Sequence, residues 1–318
     1  MITIAAIGTS FITSRTIAAA AGAPDVRFVG VQSRDADRAA ALASELGLER
    51  SFGDLGSLLD SDVDAVYVAS PNAVHGGQVR AAIAAGKHVL CEKPAVTTAA
   101  EWDELCAAAS EAGVVLLENM RTAYDPVMAR ILELLPSLGT LRRVSFSLSQ
   151  RSARYDDWLA GRRPNVFDPA LGGGGLADIG VYLTHSLVRL FGTPSRVSAS
   201  FIKVPDGADG AGAALMTYDG MLAELAWSKI TAGRLGGSIE GEQGTITLDH
   251  MTELGSLSVD YLDGRRIEER PGKEPDNITY ALRRFGELVG SGGSAATDQA
   301  WTRASLALIE SIRDAASL

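Results

Sequence analysis

The sequence has few of the residues that build metal centres or disulfide frameworks. Only two of its 318 residues are cysteines, and only four are histidines. These residues are Cys91, Cys106, His75, His88, His185 and His250. The cysteines are too few and too badly spaced for a disulfide framework or a metal cage, and the histidines show no ligand-like pairing with cysteines or carboxylates. We therefore predict two buried thiols and a chemistry that needs no metal.

An excess of positive charge is also missing. The formal net charge is -10, and no cluster of lysine and arginine reaches polybasic size. Neither nucleic acid nor an anionic membrane surface is therefore expected as a partner. No segment approaches the roughly 20 apolar residues of a membrane span, and the first strand-like run begins at Ile2 without a charged leader. These features predict a cytoplasmic protein.

Apolar residues make up 46% of the chain, enough for two cores. Up to residue 117, short β-branched runs alternate with longer segments whose apolar residues recur at helical spacing. The predicted strands are residues 2–7, 26–32, 65–69, 88–91 and 114–117, and the predicted helices are 12–21, 36–46, 76–85 and 98–112. Gly47, Gly86 and Gly113 follow three of these helices, as is usual at helix C-termini. This alternation predicts an α/β protein that begins with a doubly wound parallel sheet.

After Tyr124 the pattern changes to that of an α+β domain. A helix over 126–135 is followed by several strands in succession, and polar turns that contain glycine, such as Asp219-Gly220, join consecutive strands. The predicted strands are 141–150, 197–204, 213–218, 222–229, 235–240, 244–249 and 257–261, and the closing helices are 277–289 and 298–315. We predict a large, mostly antiparallel open sheet. The two domains are expected at 1–120 and 121–318, with the C-terminal helix able to pack back on the first.

The first predicted strand runs into Gly8-Thr9-Ser10-Phe11-Ile12, where the dinucleotide-binding fingerprint requires glycine at positions 8, 10 and 13. Only Gly8 matches the fingerprint. Its turn, the small residues after it and the amides of the following helix are still suited to a pyrophosphate. The alternative is an ordinary small-residue turn in a doubly wound protein that binds no nucleotide.

The end of the second strand favours the nucleotide. It reads Gln32-Ser33-Arg34, with no acidic residue to bind a ribose diol, and Arg38 lies one helical turn beyond Arg34. Guanidinium groups bind a 2′-phosphate through charge-assisted hydrogen bonds, so NADP is favoured over NAD. In the alternative interpretation, these arginines are solvated helix residues that pair with Asp35 and Asp37.

Three further motifs follow in order along the chain. They are Ser70-Pro71-Asn72-Ala73-Val74-His75, Glu92-Lys93-Pro94 and the run from Gly172-Gly173-Gly174-Gly175 through Asp178 to Tyr182. Together they resemble the Gfo/Idh/MocA family of glucose-fructose oxidoreductases and inositol dehydrogenases, and the resemblance covers essentially the whole chain. It implies a dinucleotide-binding domain followed by a substrate-binding and oligomerisation domain. It also implies cofactor contacts from Ser70, Pro71, Asn72, His75, Glu92 and Lys93, beside those of Gly8, Thr9, Ser10, Phe11, Ile12, Ser33, Arg34 and Arg38.

The family resemblance also assigns catalytic residues. It implies a cis Lys93-Pro94 bond and makes Lys93 and Tyr182 the groups that handle the proton, with Asp178 orienting the substrate or Lys93. Lys93 follows a parallel strand, at the edge where open α/β sheets bind ligands. A free tyrosine loses its proton only near pH 10, so a cation such as Lys93 must assist Tyr182.

The helix-entry pattern of the family is only partly kept. Glu118 and Pro126 match it, but Ala123 stands at the position of the family arginine, and Arg121 is out of register. The polar loop before the glycine run offers Trp158, Arg162 and Asn165, beside Asp178, as substrate-binding candidates, although such residues are also common on loop surfaces.

These observations predict an NADP-dependent hydride transfer to or from a hydroxyl or carbonyl group of a sugar, polyol or cyclic diol. One alternative is a reductase of a non-sugar acceptor, and another is a non-catalytic NADP-binding sensor. An open sheet without a cover on its second face exposes apolar surface, so a homodimer or homotetramer through that sheet is expected.

Overall fold

The computed structural model describes residues 1–316, and the chain forms two compact units. The first consists of Met1–Arg121 and Glu274–Arg303, and the second of Thr122–Lys273 and residues 304–316. The segment 274–303, which the sequence analysis places in the second domain, thus counts with the first unit. Within that unit, the Thr279 hydroxyl donates to the carbonyl of Ala19 at 3.0 Å, and Arg283 Nε donates to that of Gly22 at 2.8 Å.

The first unit is built on a six-stranded parallel sheet with the order β3-β2-β1-β4-β5-β6. Its strands are β1 (Ile2–Ile7), β2 (Val26–Gln32), β3 (Arg50–Phe52), β4 (Ala65–Val68), β5 (His88–Cys91) and β6 (Leu116–Glu118). The strand order reverses between β1 and β4, which is where doubly wound sheets bind nucleotides. The predicted doubly wound parallel sheet is confirmed.

Several helices of the first unit begin or end at caps that the sequence supplies. The helices are α1 (Phe11–Ala19), α2 (Ala36–Leu46), α3 (Leu55–Leu59), α4 (His75–Ala84), α5 (Ala99–Ala112) and α9 (Ile278–Ser291). The side chains of Asp35, Asp54 and Thr98 accept backbone N–H groups at the starts of α2, α3 and α5. Gly47 and Gly113 end α2 and α5 in the left-handed conformation.

The second unit contains an eight-stranded sheet with the order β14-β13-β12-β11-β7-β10-β9-β8. Its strands are β7 (Leu141–Ser149), β8 (Arg196–Lys203), β9 (Asp209–Tyr218), β10 (Met221–Ser228), β11 (Gly237–Gly241), β12 (Gly244–Leu248), β13 (Leu257–Tyr261) and β14 (Arg266–Glu269). All neighbouring strands are antiparallel except β7 and β10, which are parallel. The predicted α/β fold with a large, mostly antiparallel second sheet is confirmed.

In the second unit, one helix precedes the first strand of the sheet and two lie between its first and second strands. They are α6 (Pro126–Leu134), α7 (Tyr155–Leu159) and α8 (Val181–Phe191), with one π-helical turn at Leu176–Gly180 directly before α8. The long helix α10 (Ala296–Ala316) closes the described chain. π-helical turns are rare and occur mostly at functional sites.

The structure adds short elements that the sequence analysis misses. Strand β3 has three residues and α3 and α7 have five each, so none is long enough to show a period. Strand β14 is an edge strand rich in charged residues, which hides its apolar alternation. The first closing helix begins one residue later than predicted, at Ile278, and the second begins two residues earlier, at Ala296.

Within residues 1–316, no helix is long and apolar enough to cross a membrane. The same residues contain no group of three or more histidine, cysteine and acidic side chains arranged to hold a metal ion.

Candidate active site

Gly8 forms the turn after β1, at the reversal of the strand order. Its φ angle is +110°, a region that favours glycine, and its N–H donates to the carbonyl of Gln32 at 2.9 Å. A Cβ atom at this position would lie 2.6 Å from the carbonyl oxygen of Ala69, at the end of β4. Glycine is therefore required here both by the backbone conformation and by the neighbouring strand end.

The other two glycines of the fingerprint are replaced by a pair of hydroxyl residues. Ser10 is the N-cap of α1 in an extended conformation with φ -85°, so no glycine is needed at this position. Thr13 is fully buried, and its hydroxyl lies 3.4 Å from that of Ser10. The N–H groups of Phe11 and Ile12, in the first turn, have no acceptor within the helix. The start of α1 thus keeps amides for a pyrophosphate.

Arg34 and Arg38 stand at the surface after β2. Both are exposed, and Ser33 beside them is half-buried. Asp35 does not neutralise them, because its carboxylate accepts the backbone N–H of Arg38 at 3.1 Å and caps α2. Across residues 1–316 neither guanidinium forms an ion pair, so neither Asp35 nor Asp37 occupies them. This donor set fits the 2′-phosphate of NADP.

The loop after β4 is fastened by its own polar residues. The Ser70 hydroxyl donates to Gln78 Oε1 at 2.6 Å. His75 is fully buried, with its ring nitrogens 2.7 Å from the carbonyl oxygen of Ser70 and 3.1 Å from that of Pro94. The imidazole thus links the loop after β4 to the turn after β5. This placement argues against direct cofactor contact by His75, whereas Pro71 and Asn72 are partly exposed in the same loop.

The turn after β5 holds Lys93, and the Lys93-Pro94 bond is cis, as the resemblance implies. The neighbouring Glu92 is buried and accepts the Tyr67 hydroxyl at 2.6 Å and the Asn119 amide. Its second oxygen lies 3.3 Å from the backbone N–H of Lys93. Glu92 therefore fixes the backbone at Lys93, and its burial argues against the predicted cofactor contact.

A second buried carboxyl group, that of Glu118, lies at the end of β6. It accepts the N–H of Ala95 at 2.9 Å and the Thr302 hydroxyl at 3.0 Å. Burial raises the pKa of Glu118 to about 7, and the positive charge of Lys93 acts in the opposite direction. Lys93 therefore stands in a turn that two buried carboxyl groups support.

In the second unit, the glycine run leads into the helix that carries Asp178 and Tyr182. The Asp209 carboxylate accepts the N–H of Leu176 at 2.7 Å and the indole N–H of Trp227 at 2.8 Å. A Cβ atom on Gly174, whose φ is +132°, would lie 2.4 Å from the same carboxylate. The absence of a side chain on Gly174 therefore lets Asp209 hold the start of the π-helical turn.

Asp178 lies within this π-helical turn, and Tyr182 follows in α8, where its side chain is 7% exposed. The Lys229 ammonium lies 2.8 Å from Asp178 Oδ2. This second lysine follows β10 and belongs to none of the motifs. The carboxylate is thus held by a neighbouring cation of its own unit.

The predicted substrate-binding loop has a small core of its own. Trp158 is buried against Phe167 and Val204, and its indole N–H donates to the carbonyl of Pro205 at 2.9 Å. This corrects the expectation that its ring is available to a sugar. Arg162 and Asn165 are exposed, and Arg162 pairs with Asp157. Their substrate contacts stay predictions.

Most residues that support these motifs are not predicted from the sequence. They belong to no recognised motif: Tyr67, Asn119, Thr302, Asp209 and Lys229. Glu118 is predicted only as a match to the family's helix-entry pattern. For Glu118 and Asn119 a signal exists, because both lie at the end of a predicted parallel strand. Arg121, out of register with the family arginine, donates to Asn277 Oδ1 at 3.0 Å.

Both halves of the sequence match known family descriptions. Residues 2–120 match the oxidoreductase family with an NAD-binding Rossmann fold, and residues 137–247 match the GFO/IDH/MocA C-terminal domain.

Individual proteins of known function are also similar to this chain. The chain is 41% identical over 266 residues to scyllo-inositol 2-dehydrogenase (NADP(+)) IolU of Bacillus subtilis, which covers 83% of this chain and 81% of that protein. It is 35% identical over 216 residues to D-xylose 1-dehydrogenase (NADP(+)) 2 of Haloferax volcanii, covering 67% and 65%. It is also similar to the crystal structure of KijD10, a 3-ketoreductase from Actinomadura kijaniata in complex with TDP-benzene and NADP. That similarity has a TM-score of 0.85 at 26% identity and covers 98% of this chain and 96% of the other. The chain therefore belongs to the Gfo/Idh/MocA family and is an NAD(P)-dependent oxidoreductase that acts on CH–OH groups.

Proposed function

We propose that this protein transfers a hydride between NADP and a hydroxyl or carbonyl group of a sugar, polyol or cyclic diol. The substrate class is supported by the two relatives named as inositol and xylose dehydrogenases, and by the similar 3-ketoreductase. The observation that carries the cofactor choice is the pair of exposed arginines, Arg34 and Arg38, without a carboxylate partner in residues 1–316.

The proposed cofactor contacts lie along one edge of the first sheet. The amides of Phe11 and Ile12 would hold the pyrophosphate, with Gly8, Thr9 and Ser10 allowing its approach. Arg34 and Arg38, with Ser33, would bind the 2′-phosphate. When bound, NADP supplies or accepts the hydride. Pro71, Asn72 and Lys93 are the further contacts that follow strand ends in this unit.

The proton is assigned to Lys93 and Tyr182. The Tyr182 phenol exchanges a proton with the reacting oxygen, and the Lys93 ammonium donates a hydrogen bond to that oxygen. Asp178 accepts a hydrogen bond from a substrate hydroxyl and so orients the ring. Glu92 and Glu118 contact no substrate in this proposal and hold the turn at Lys93.

We also propose that the protein assembles as a homodimer or homotetramer through the eight-stranded sheet. The outward face of β7, β9 and β10 is lined by small and polar residues, among which Leu215 and Leu222 are 47% and 48% exposed. A face with small side chains and half-exposed leucines can pair with the same face of a second copy.

The cofactor proposal is tested by fluorescence titration of the purified protein with NADPH and with NADH, repeated with Arg34→Ala. A matched control is Arg80→Ala, which removes an exposed arginine of the same unit that pairs with Glu104. We expect the Kd for NADPH to rise about tenfold or more in Arg34→Ala, because one charge-assisted phosphate contact is lost, and to stay unchanged in Arg80→Ala. Equal affinities of the two variants would contradict the role of Arg34. If the wild type bound neither nucleotide, the hydride-transfer proposal would fail.

A further inference from the structure

The backbone of Lys229 is held in place by two hydrogen bonds. Its N–H donates to the carbonyl of Gly210 at 2.7 Å, and its carbonyl accepts the N–H of Ser152 at 2.8 Å. These bonds tie the residue after β10 to the start of β9 and to the segment that follows β7. The direction in which the side chain leaves the backbone is therefore fixed from both sides.

The side chain of Lys229 is 10% exposed, whereas that of Asp178 is 32% exposed. A lysine ammonium removed from water is costly unless a carboxylate compensates for it, and Asp178 is that carboxylate, with 2.8 Å between Nζ and Oδ2. The buried cation thus approaches the carboxylate from the interior of the unit, and part of Asp178 stays open to solvent.

The helical turn that carries Asp178 is held at a second point. Asp209, the first residue of β9, accepts the N–H of Leu176 at the start of this turn. Lys229 and Asp209 come from the paired ends of β10 and β9, where Lys229 N–H bonds to Gly210. One strand pair therefore fixes both the backbone of the turn and the carboxylate on it.

We infer that Lys229 is a positioning residue for Asp178, which keeps this carboxylate aimed at a hydroxyl group of the substrate. The inference rests on the proposed function and adds a residue that no motif of the sequence assigns. It concerns substrate orientation, since Lys229 itself is placed against Asp178 and is nearly buried.

The kinetic test compares Lys229→Met, Lys229→Arg and Lys273→Met, with NADP and a polyol that the wild type turns over. Lys273 is the matched control because it is a second lysine of the same unit with a carboxylate partner, 3.7 Å from Asp125. For Lys229→Met we expect the KM for the polyol to rise about tenfold, with kcat changed less and the Kd for NADPH unchanged. Lys229→Arg should bring the KM part of the way back to the wild-type value, and Lys273→Met should have the wild-type KM. A Lys229→Met enzyme with wild-type KM and only a reduced fraction of folded protein would overturn the inference.

The ion pair is tested separately by thermal unfolding of Lys229→Met, Asp178→Asn and the double variant, which requires no substrate. We expect each single variant to lower Tm and the double variant to lower it by less than the sum, because each single change leaves one partner without its opposite charge. Additive effects would overturn the coupling of the two residues. If the wild type turned over no polyol or sugar, the proposed function would fail, while this cycle would still measure the pair.

Discussion

The Thr302 hydroxyl donates to Oε2 of the buried Glu118 at 3.0 Å, so a helix near the C-terminus supports the end of the last parallel strand. On its other side the carboxyl group accepts the N–H of Ala95, in the turn that follows the cis Lys93-Pro94 bond. Burial raises the pKa of this group to about 7. Burial therefore favours the protonated form of this carboxyl group, whereas the two hydrogen bonds that it accepts favour the ionised form.

Glu118→Gln should change how the stability of the protein depends on pH. The folded protein retains the Glu118 proton up to about pH 7, whereas in the unfolded chain the carboxyl group releases it near 4.5, so wild-type stability decreases as pH rises between these values. The amide of glutamine does not titrate. We therefore expect the variant to gain stability relative to wild type on going from pH 5 to pH 8, by up to about 3 kcal/mol.

Thermal or denaturant unfolding at the two pH values measures this difference. The control is Glu111→Gln, which removes an exposed carboxylate from α5 in the same unit and should show the pH dependence of the wild type. An equal Tm difference between Glu118→Gln and wild type at pH 5 and pH 8 would show that Glu118 keeps an ordinary pKa.

Gly8→Ala should abolish most of the NADPH affinity. A methyl group at this position would lie 2.6 Å from the carbonyl oxygen of Ala69, and the φ angle of +110° disfavours any side chain. The turn must therefore shift, and with it the amides at the start of α1. Gly47→Ala is the control, because Gly47 also has a positive φ of +66° but has no atoms within 4 Å of its Cβ position. It should cost about 1 kcal/mol of stability and leave the NADPH titration unchanged. Wild-type affinity in Gly8→Ala would show that the turn does not contact the cofactor.

Tyr182→Phe should reduce turnover by about two to four orders of magnitude, because it removes the phenol that exchanges the proton with the reacting oxygen. The Kd for NADPH should stay within about twofold, since the cofactor contacts are proposed for the first unit. Steady-state kinetics with NADP and a polyol measure the effect. Tyr218→Phe is the control, because it removes a phenol of the same unit that donates to the carbonyl of Gly192. A Tyr182→Phe enzyme as active as this control would leave the proton transfer to another group.

The apolar patterns predict most of the fold, because the long helices and the strands of the second sheet bury one face, and the first-sheet strands are short apolar runs buried on both faces. They fail for β3, which has three residues, and they carry no information on the parallel pairing of β7 with β10. The pairing depends on which strands meet in space, and the local period of a strand is the same whichever neighbour it has.

Some residues of the candidate site are likewise predicted from the sequence, and others are not. Lys93, Asp178 and Tyr182 stand in motifs that are readable along the chain, whereas Lys229 reaches Asp178 only because β10 ends beside the glycine run. Trp158 is the reverse case, because the sequence predicts it as a substrate-binding residue of a polar loop and the structure buries it. Phe167 of the same loop and Val204, which follows β8, bury it.

Leu222→Lys should dissociate the proposed oligomer. Leu222 lies on β10 directly opposite Arg143 of β7 and Thr217 of β9, on the outward face of the sheet, and is 48% exposed. A lysine there would add a second cation beside Arg143 in every copy, and an interface through this face would have to bury both charges. Sedimentation velocity at micromolar concentration measures the assembly. Leu262→Lys is the control, because Leu262 is 79% exposed in the turn between β13 and β14. A monomeric wild type would refute the assembly, and a Leu222→Lys variant that sediments like the wild-type oligomer would move the interface to another surface.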